Sequence, residues 1–186
     1  NNGASSAFAG LPEEIREVLE QPESAFKELE WEQLAPADDW EALQNPPSLI
    51  GEITEGGFED RISGPLGSLG AAAGSGRYAQ ALSSARVVGE LDGSFSKIPG
   101  FIVPIEFSED NKLMEFFLVP YFGACFHLPP PPPNQIVHVT SAIGADFESV
   151  YDPVWILGRL KTATKTNHIA TAAYSMDLHS QTAYTE

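Results

Sequence analysis

Cys125-Phe126-His127 is where side-chain types and spacing in this chain most directly point to chemistry. Cys125 is the single cysteine and His127 one of four histidines. In extended backbone, residues two apart project from the same face, about 6 to 7 Å from each other. A thiolate and an imidazole are preferred ligands for Zn²⁺ or Cu⁺, so Cys125 and His127 form a candidate metal half-site, or a reactive thiol with a polar neighbour. Completing a tetrahedral site would require His138, His168, His179 or a carboxylate. The plainer reading makes Cys125 a small buried hydrophobe, because one CxH is a far weaker signal than paired CxxC motifs. The spacing suits proton transfer less well, since a Cys-His hydrolase needs its histidine as a separate base poised against the thiol.

Other enzyme signatures are absent. The chain carries no GxSxG, Walker loop, HExxH or GxGxxG in a strand-to-helix context. His168 follows Lys161, Lys165 and several threonines, which predicts an exposed turn, and His179 lies in an equally polar tail predicted to be solvated. Immediately after His127 come Pro129 to Pro133, a stiff left-handed rod of about 15 Å with bare carbonyls and no N–H donors. It is read first as a rigid loop that steadies the Cys125 strand and blunts a sheet edge, with Asn134-Gln135 capping its carbonyls; the alternative is a docking ligand for an aromatic groove.

The elements that must position these residues follow from composition and pattern. With 186 residues and 42% hydrophobic content the chain can bury a true core. Its 10 basic and 26 acidic residues give a net charge of −16, a field that repels phosphate backbones, so no nucleic-acid partner is expected. The acidity is concentrated: Glu13 to Asp60 holds 15 of the 26 acids and, among basic residues, only Arg16 and Lys27. One cysteine excludes an intrachain disulfide. No run reaches the roughly 20 apolar residues of a transmembrane helix. The small, polar NNGASSAFAG opening reads either as a cloning scar or as the tail left after a targeting segment was removed.

Leu11-Pro12-Glu13-Glu14 is a helix entry, with proline in the first turn and carboxylates at the positive end of the dipole, and Pro22 stops that helix by Gln21. A second short helix is predicted from about Ser24 to Leu34, irregular chain from Asp38 to Gly76, and a short helix over Arg77 to Ala85. Trp31, Trp40 and Phe58 are costly to leave in water, so this acidic arm should anchor on the rest of the chain through them. Arg159, Lys161 and Lys165 form the basic patch that could receive it.

The second half is different. Val87-Val88, Phe95 to Phe107, Met114 to Val119, Gln135 to Thr140, Val154 to Leu160 and Ile169 to Met176 are short runs rich in β-branched and aromatic residues, separated by turn signals. Leu91-Asp92-Gly93-Ser94 and Ser108-Glu109-Asp110-Asn111 read as hairpin connections. The predicted fold is mainly β: a small, partly closed barrel resembling the oligonucleotide/oligosaccharide-binding (OB) fold over 86–186, with an acidic helical and irregular arm over 1–85.

Three motifs carry a family resemblance: Leu91-Asp92-Gly93 leading into Ile98-Pro99-Gly100-Phe101-Ile102-Val103-Pro104; Phe117 to Cys125 continuing through His127 and the prolines to Asn134-Gln135; and Tyr174-Ser175-Met176-Asp177. Together they resemble the bacterial family called domain of unknown function 3299, over roughly residues 86 to 186, with Trp31 and Trp40 echoing its upstream part. The family has no agreed activity. Its members look like exported or lipid-anchored envelope proteins, some encoded near transporter components. The resemblance therefore implies a non-enzymatic periplasmic or membrane-anchored accessory protein, acting on an envelope partner such as a transporter component by protein contacts or transient metal binding. The alternative is a thiol- or metal-dependent enzyme centred on Cys125 and His127.

Overall fold

The computed structural model describes residues 8–46, 76–124 and 130–185. Its elements in chain order are α1 (Glu13–Leu19), β1 (Lys27–Glu28), α2 (Ala37–Gln44), a helix over 76–82, β2 (Phe95–Phe107), β3 (Leu113–Val119), β4 (Val137–Ala145), β5 (Val154–Lys161), β6 (Lys165–Thr166), β7 (Thr171–Ala172) and β8 (Tyr174–Ala183).

The 13-residue β2 does most to shape the molecule. Its first half, Phe95 to Gly100, pairs antiparallel with β5, and its second half, from Phe101 onward, pairs antiparallel with β3. One strand thus belongs to both sides of the sheet, and the order β2-β3-β4-β8-β5 returns to β2 as a closed five-stranded barrel. The predicted partial closure is in fact complete, in a form compatible with the OB-like reading. Gly100 sits at the changeover, where a Cβ would lie 2.6 Å from the backbone oxygen of Val119. Only glycine lets the two backbones approach so closely. β4 and β8 run parallel, Val137 beside Tyr174 and Thr140 beside Asp177, so the chain between them crosses over rather than turning back.

β3 explains why LMEFFLV reads as an almost unbroken apolar run. Phe116 and Leu118 point into the barrel with Ile98, Val139, Ile156 and Met176, whereas Phe117 and Val119 join an outer cluster with Ala124, Ile136 and Ala172. All four β3 side chains are inaccessible to solvent. A strand buried on both faces loses the alternation of a half-buried one.

The arm departs from the prediction in two places. The expected helix from Ser24 to Leu34 is instead two 3₁₀ turns flanking β1, which lies parallel to the start of β2 with Lys27 beside Ser96 and Glu28 beside Lys97. Leu29 N–H donates to Lys97 O at 2.9 Å, so pairing with the edge of β2 overrides local helix propensity. Conversely, Ala37–Gln44 is helical where irregular chain was expected: Pro36 precedes it and Asp38 and Asp39 occupy its first turn. The helix over 76–82 agrees with the one expected from Arg77, and Phe58 and the Gly67 to Gly76 run lie outside the described residues, Gly76 excepted. Val87-Val88 is not a strand, and Leu91 to Ser94 is no hairpin turn: it follows a 3₁₀ turn over Gly89–Leu91 and leads into β2, with Gly93 N–H donating to Leu160 O.

The final strand begins later than predicted. Thr171-Ala172 pairs with Lys165-Thr166 in a small separate hairpin, and β8 runs on from Tyr174 to Ala183. No helix among the described residues is long and apolar enough to cross a membrane.

Candidate functional site

Cys125 and His127 lie outside the described residues. The histidines that could have joined them have other commitments. His138, on β4, stands opposite Phe117, and its Nε2 is 2.6 Å from Oε1 of Glu115. Its ring meets Phe117 edge-on at 5.7 Å, and Lys165, Thr166 and Asn167 wall the same cleft of about 300 Å³. Glu115 was the polar interruption in the apolar run. Register places it diagonal to His138 on the neighbouring strand, a relation that requires the pairing to be known.

His179 is not the solvated tail residue expected from its polar neighbours. It lies on β8, its ring packs on Phe26 at 4.6 Å, and its Nε2 is 2.8 Å from Gln21 O. A carbonyl can only accept, so Nε2 carries the proton and donates, while Nδ1 accepts from the Ser180 hydroxyl at 2.7 Å. His179 is therefore a bridge from the barrel to the end of α1. His168 is exposed in the turn between β6 and β7, as expected. Among the described residues, no three His, Cys, Asp or Glu side chains group together in a way that could hold a metal ion. The acidic arm does reach the basic patch, through Glu17 to Arg159 at 3.3 Å, whereas Lys161 pairs with Asp177 at 2.6 Å.

The densest polar network lies where the arm meets the barrel. Gln135 and Asn134 do not cap the proline rod with their side chains. Gln135 Nε2 donates to Trp31 O at 2.9 Å, and Asn134 Nδ2 donates to Arg86 O at 3.1 Å; the rod's carbonyls are met by the backbone instead, Gln135 N–H to Pro132 O and Ala173 N–H to Pro133 O, both at 2.8 Å. The fully buried Tyr174 hydroxyl donates to Leu34 O at 2.6 Å and accepts from Val88 N–H at 2.8 Å. Asp39 is also fully buried, bonded to Ser84 Oγ at 2.5 Å and Arg77 at 2.6 Å. The Arg86 hydrogen bond to exposed Asp38, at 2.7 Å, holds that carboxyl below the usual carboxylate range.

Burial pushes the Tyr174 phenol above its ordinary pKa of 10.0, against a smaller opposing effect of the Val88 bond. The neutral phenol is then favoured in the fold, the unfolded chain gives up its proton first, and stability declines as pH rises toward and through the raised folded value. Urea unfolding of wild type between pH 8 and pH 11 should show this decline, reduced in Tyr174→Phe. At neutral pH, Tyr174→Phe should itself cost about 1 to 3 kcal/mol, by leaving the half-buried Val88 N–H and the buried Leu34 carbonyl without this partner.

Beside this network lies an apolar groove of about 620 Å³. Trp31, Trp40, Tyr78 and Leu82 from the arm form one bank, and Pro130, Pro131 and Pro132 the other. Trp31 is fixed by its indole N–H, which donates to Pro99 O at 2.7 Å. Trp40 is carried by α2, and Tyr78 and Leu82 by the helix over 76–82; the salt bridges from Arg77 to Asp38 and Asp39 join these two helices. Pro132 has polyproline geometry, φ −63° and ψ 156°. The sequence marked the tryptophans and the prolines separately. The groove exists because the folded arm brings them face to face.

A family model described as a protein of unknown function (DUF3299) matches residues 31–183. The chain belongs to the DUF3299 family. The match begins at Trp31, well upstream of residue 86, where the sequence resemblance begins, so α2, the buried polar network and the groove all fall inside the family region. The crystal structure of a DUF3299 family protein from Pseudomonas aeruginosa PAO1 is similar to this chain, at 36% identity, with 87% of this chain and 98% of that one covered and a TM-score of 0.59. No curated protein matches the chain. For this DUF3299 protein, fold and family are therefore established.

Proposed function

We propose that this DUF3299 protein is an exported accessory protein of the bacterial envelope that holds a protein partner, such as a transporter component, without transforming it. The carrying observation is the groove lined by the arm's aromatic side chains and the proline rod: its lining among the described residues is mostly apolar, and part-buried hydrogen bonds hold Trp31 and Gln135 in its wall. Such a surface loses little entropy on binding because it is already ordered. The envelope location rests on the family resemblance.

A photo-crosslinking residue at Leu43, on the groove, should capture a discrete partner from the envelope fraction of cells expressing the full gene. The adduct should disappear with Trp40→Ala and should not form from Ile143, which is 55% exposed on the barrel surface. Equal capture from both positions, or from neither, would overturn the proposal. Fractionation of the same cells checks the location.

Transient metal binding at Cys125 and His127 belongs to the same proposal as a secondary property. Titration with Zn²⁺ or Cu⁺ should show one equivalent per chain, lost in Cys125→Ser, weakened in His127→Ala, and falling in affinity as pH drops and the ligands are protonated. Unchanged stoichiometry in Cys125→Ser would leave Cys125 as a packing residue.

A further inference from the structure

We infer that the groove takes a proline-rich segment of the partner, bound in extended left-handed form alongside Pro130 to Pro132. This deepens the protein-contact reading above and rests on it.

The first argument is continuity. One bank of the groove is itself a proline rod, already seated against the tryptophan-bearing arm. The aromatic rings facing it, Trp31, Trp40 and Tyr78, are of the kind that receive prolyl rings, flat and apolar with a polar edge. A second rod laid along the groove would continue a contact that the chain already makes with itself.

The second argument is hydrogen bonding. A polyproline helix offers carbonyls and no N–H groups, so its receptor must supply donors rather than acceptors. Among the described residues, Trp31 Nε1 is spent on Pro99 and Gln135 Nε2 on Trp31 O and Asn134 O. Trp40 Nε1 and the Tyr78 hydroxyl make no hydrogen bond to any described residue. Trp40 and Tyr78 line the groove, so their indole N–H and hydroxyl are the donors it could offer a ligand's carbonyls.

Charge narrows the class further. Glu41 and Asp38 on α2 line the cleft next to the groove, which shares Tyr78 with it, Asp38 is already paired with Arg77 and Arg86, and the whole chain carries a net charge of −16. Basic residues flanking the prolines would be drawn to this surface, and acidic ones repelled.

The test uses the intact protein and a synthetic probe, an acetylated and amidated oligoproline flanked by lysines, with a Gly/Ser peptide of equal length and the same lysines as control. Tryptophan fluorescence should shift on titration with the oligoproline and not with the control. Affinity should fall at least about tenfold in Trp40→Ala, a loss typical of an aromatic hot spot. It should fall less in Trp40→Phe, which keeps the ring and removes the donor, and should be unchanged in Trp155→Phe, outside the groove. Circular dichroism confirms that each variant is folded.

Binding that survives Trp40→Ala, or equal binding of the Gly/Ser control, overturns the inference. So does absence of binding to the full chain when the same peptide binds a variant whose residues 48–74 are replaced by a Gly/Ser linker. That result would assign the groove to the chain's own segment. Capture at Leu43 without oligoproline binding would likewise overturn it, while leaving the protein-contact reading in place.

Discussion

Phe117→Ala is expected to cost about 3 to 5 kcal/mol, the range for removing a large aromatic side chain from a packed interior. Phe117 faces away from the barrel axis, so in a simple barrel the substitution would be mild. Here it is fully buried beneath Ile136, Ala172, Val103 and Ile169, with the ring edge of His138 against it. Deleting the ring leaves a cavity in the outer layer and removes the packing that holds His138 against Glu115. Chemical denaturation measures the loss. A change under about 1 kcal/mol would mean that the outer cluster collapses into the space and is not a second core.

Removing residues 1–76 should have a larger effect still: loss of the monodisperse barrel, seen as association in size-exclusion chromatography with light scattering and as a lower melting temperature. Leu29 and Leu34 of the arm belong to the main core and are nearly or wholly buried, and Trp31 packs against it. Each such side chain removed withdraws about 1.5 to 3 kcal/mol of burial and leaves apolar barrel surface in water. Polar losses add to this. Tyr174 loses Leu34 O, Gln135 loses Trp31 O, and His179 loses Gln21 O, while β2 is stripped of β1. A truncated barrel that stayed monomeric with an unchanged melting temperature would show the arm to be an independent attachment.

What was legible in the sequence was local. Phe95 to Phe107 and Val154 to Leu160 could be read as strands because β-branched and aromatic residues recur between clear turn signals, and their bounds agree closely with β2 and β5. The two-sided burial of β3 could be read from its lack of alternation. Proline with two carboxylates marked the start of α1, and the cost of solvating an indole marked Trp31 as an anchor. In each case the information lies within a few neighbouring residues.

Tertiary structure decided what depends on partners distant in sequence. Lys27-Glu28 became a strand because β2 offered it an edge, 69 residues on by the Lys27 to Ser96 pairing. His179 looked solvated because its chain neighbours are polar, but Phe26 and Gln21, which enclose it, are elsewhere in the sequence. Barrel closure depends on β2 changing partners at Gly100, a change that no periodicity encodes. The groove follows the same logic: indoles and prolines are visible one residue at a time, but a concave surface is a relation between elements, set by how α2 and the rod pack. Propensity and burial preference belong to single residues and short windows, whereas register, closure and concavity belong to pairs of segments that only the folded chain brings together.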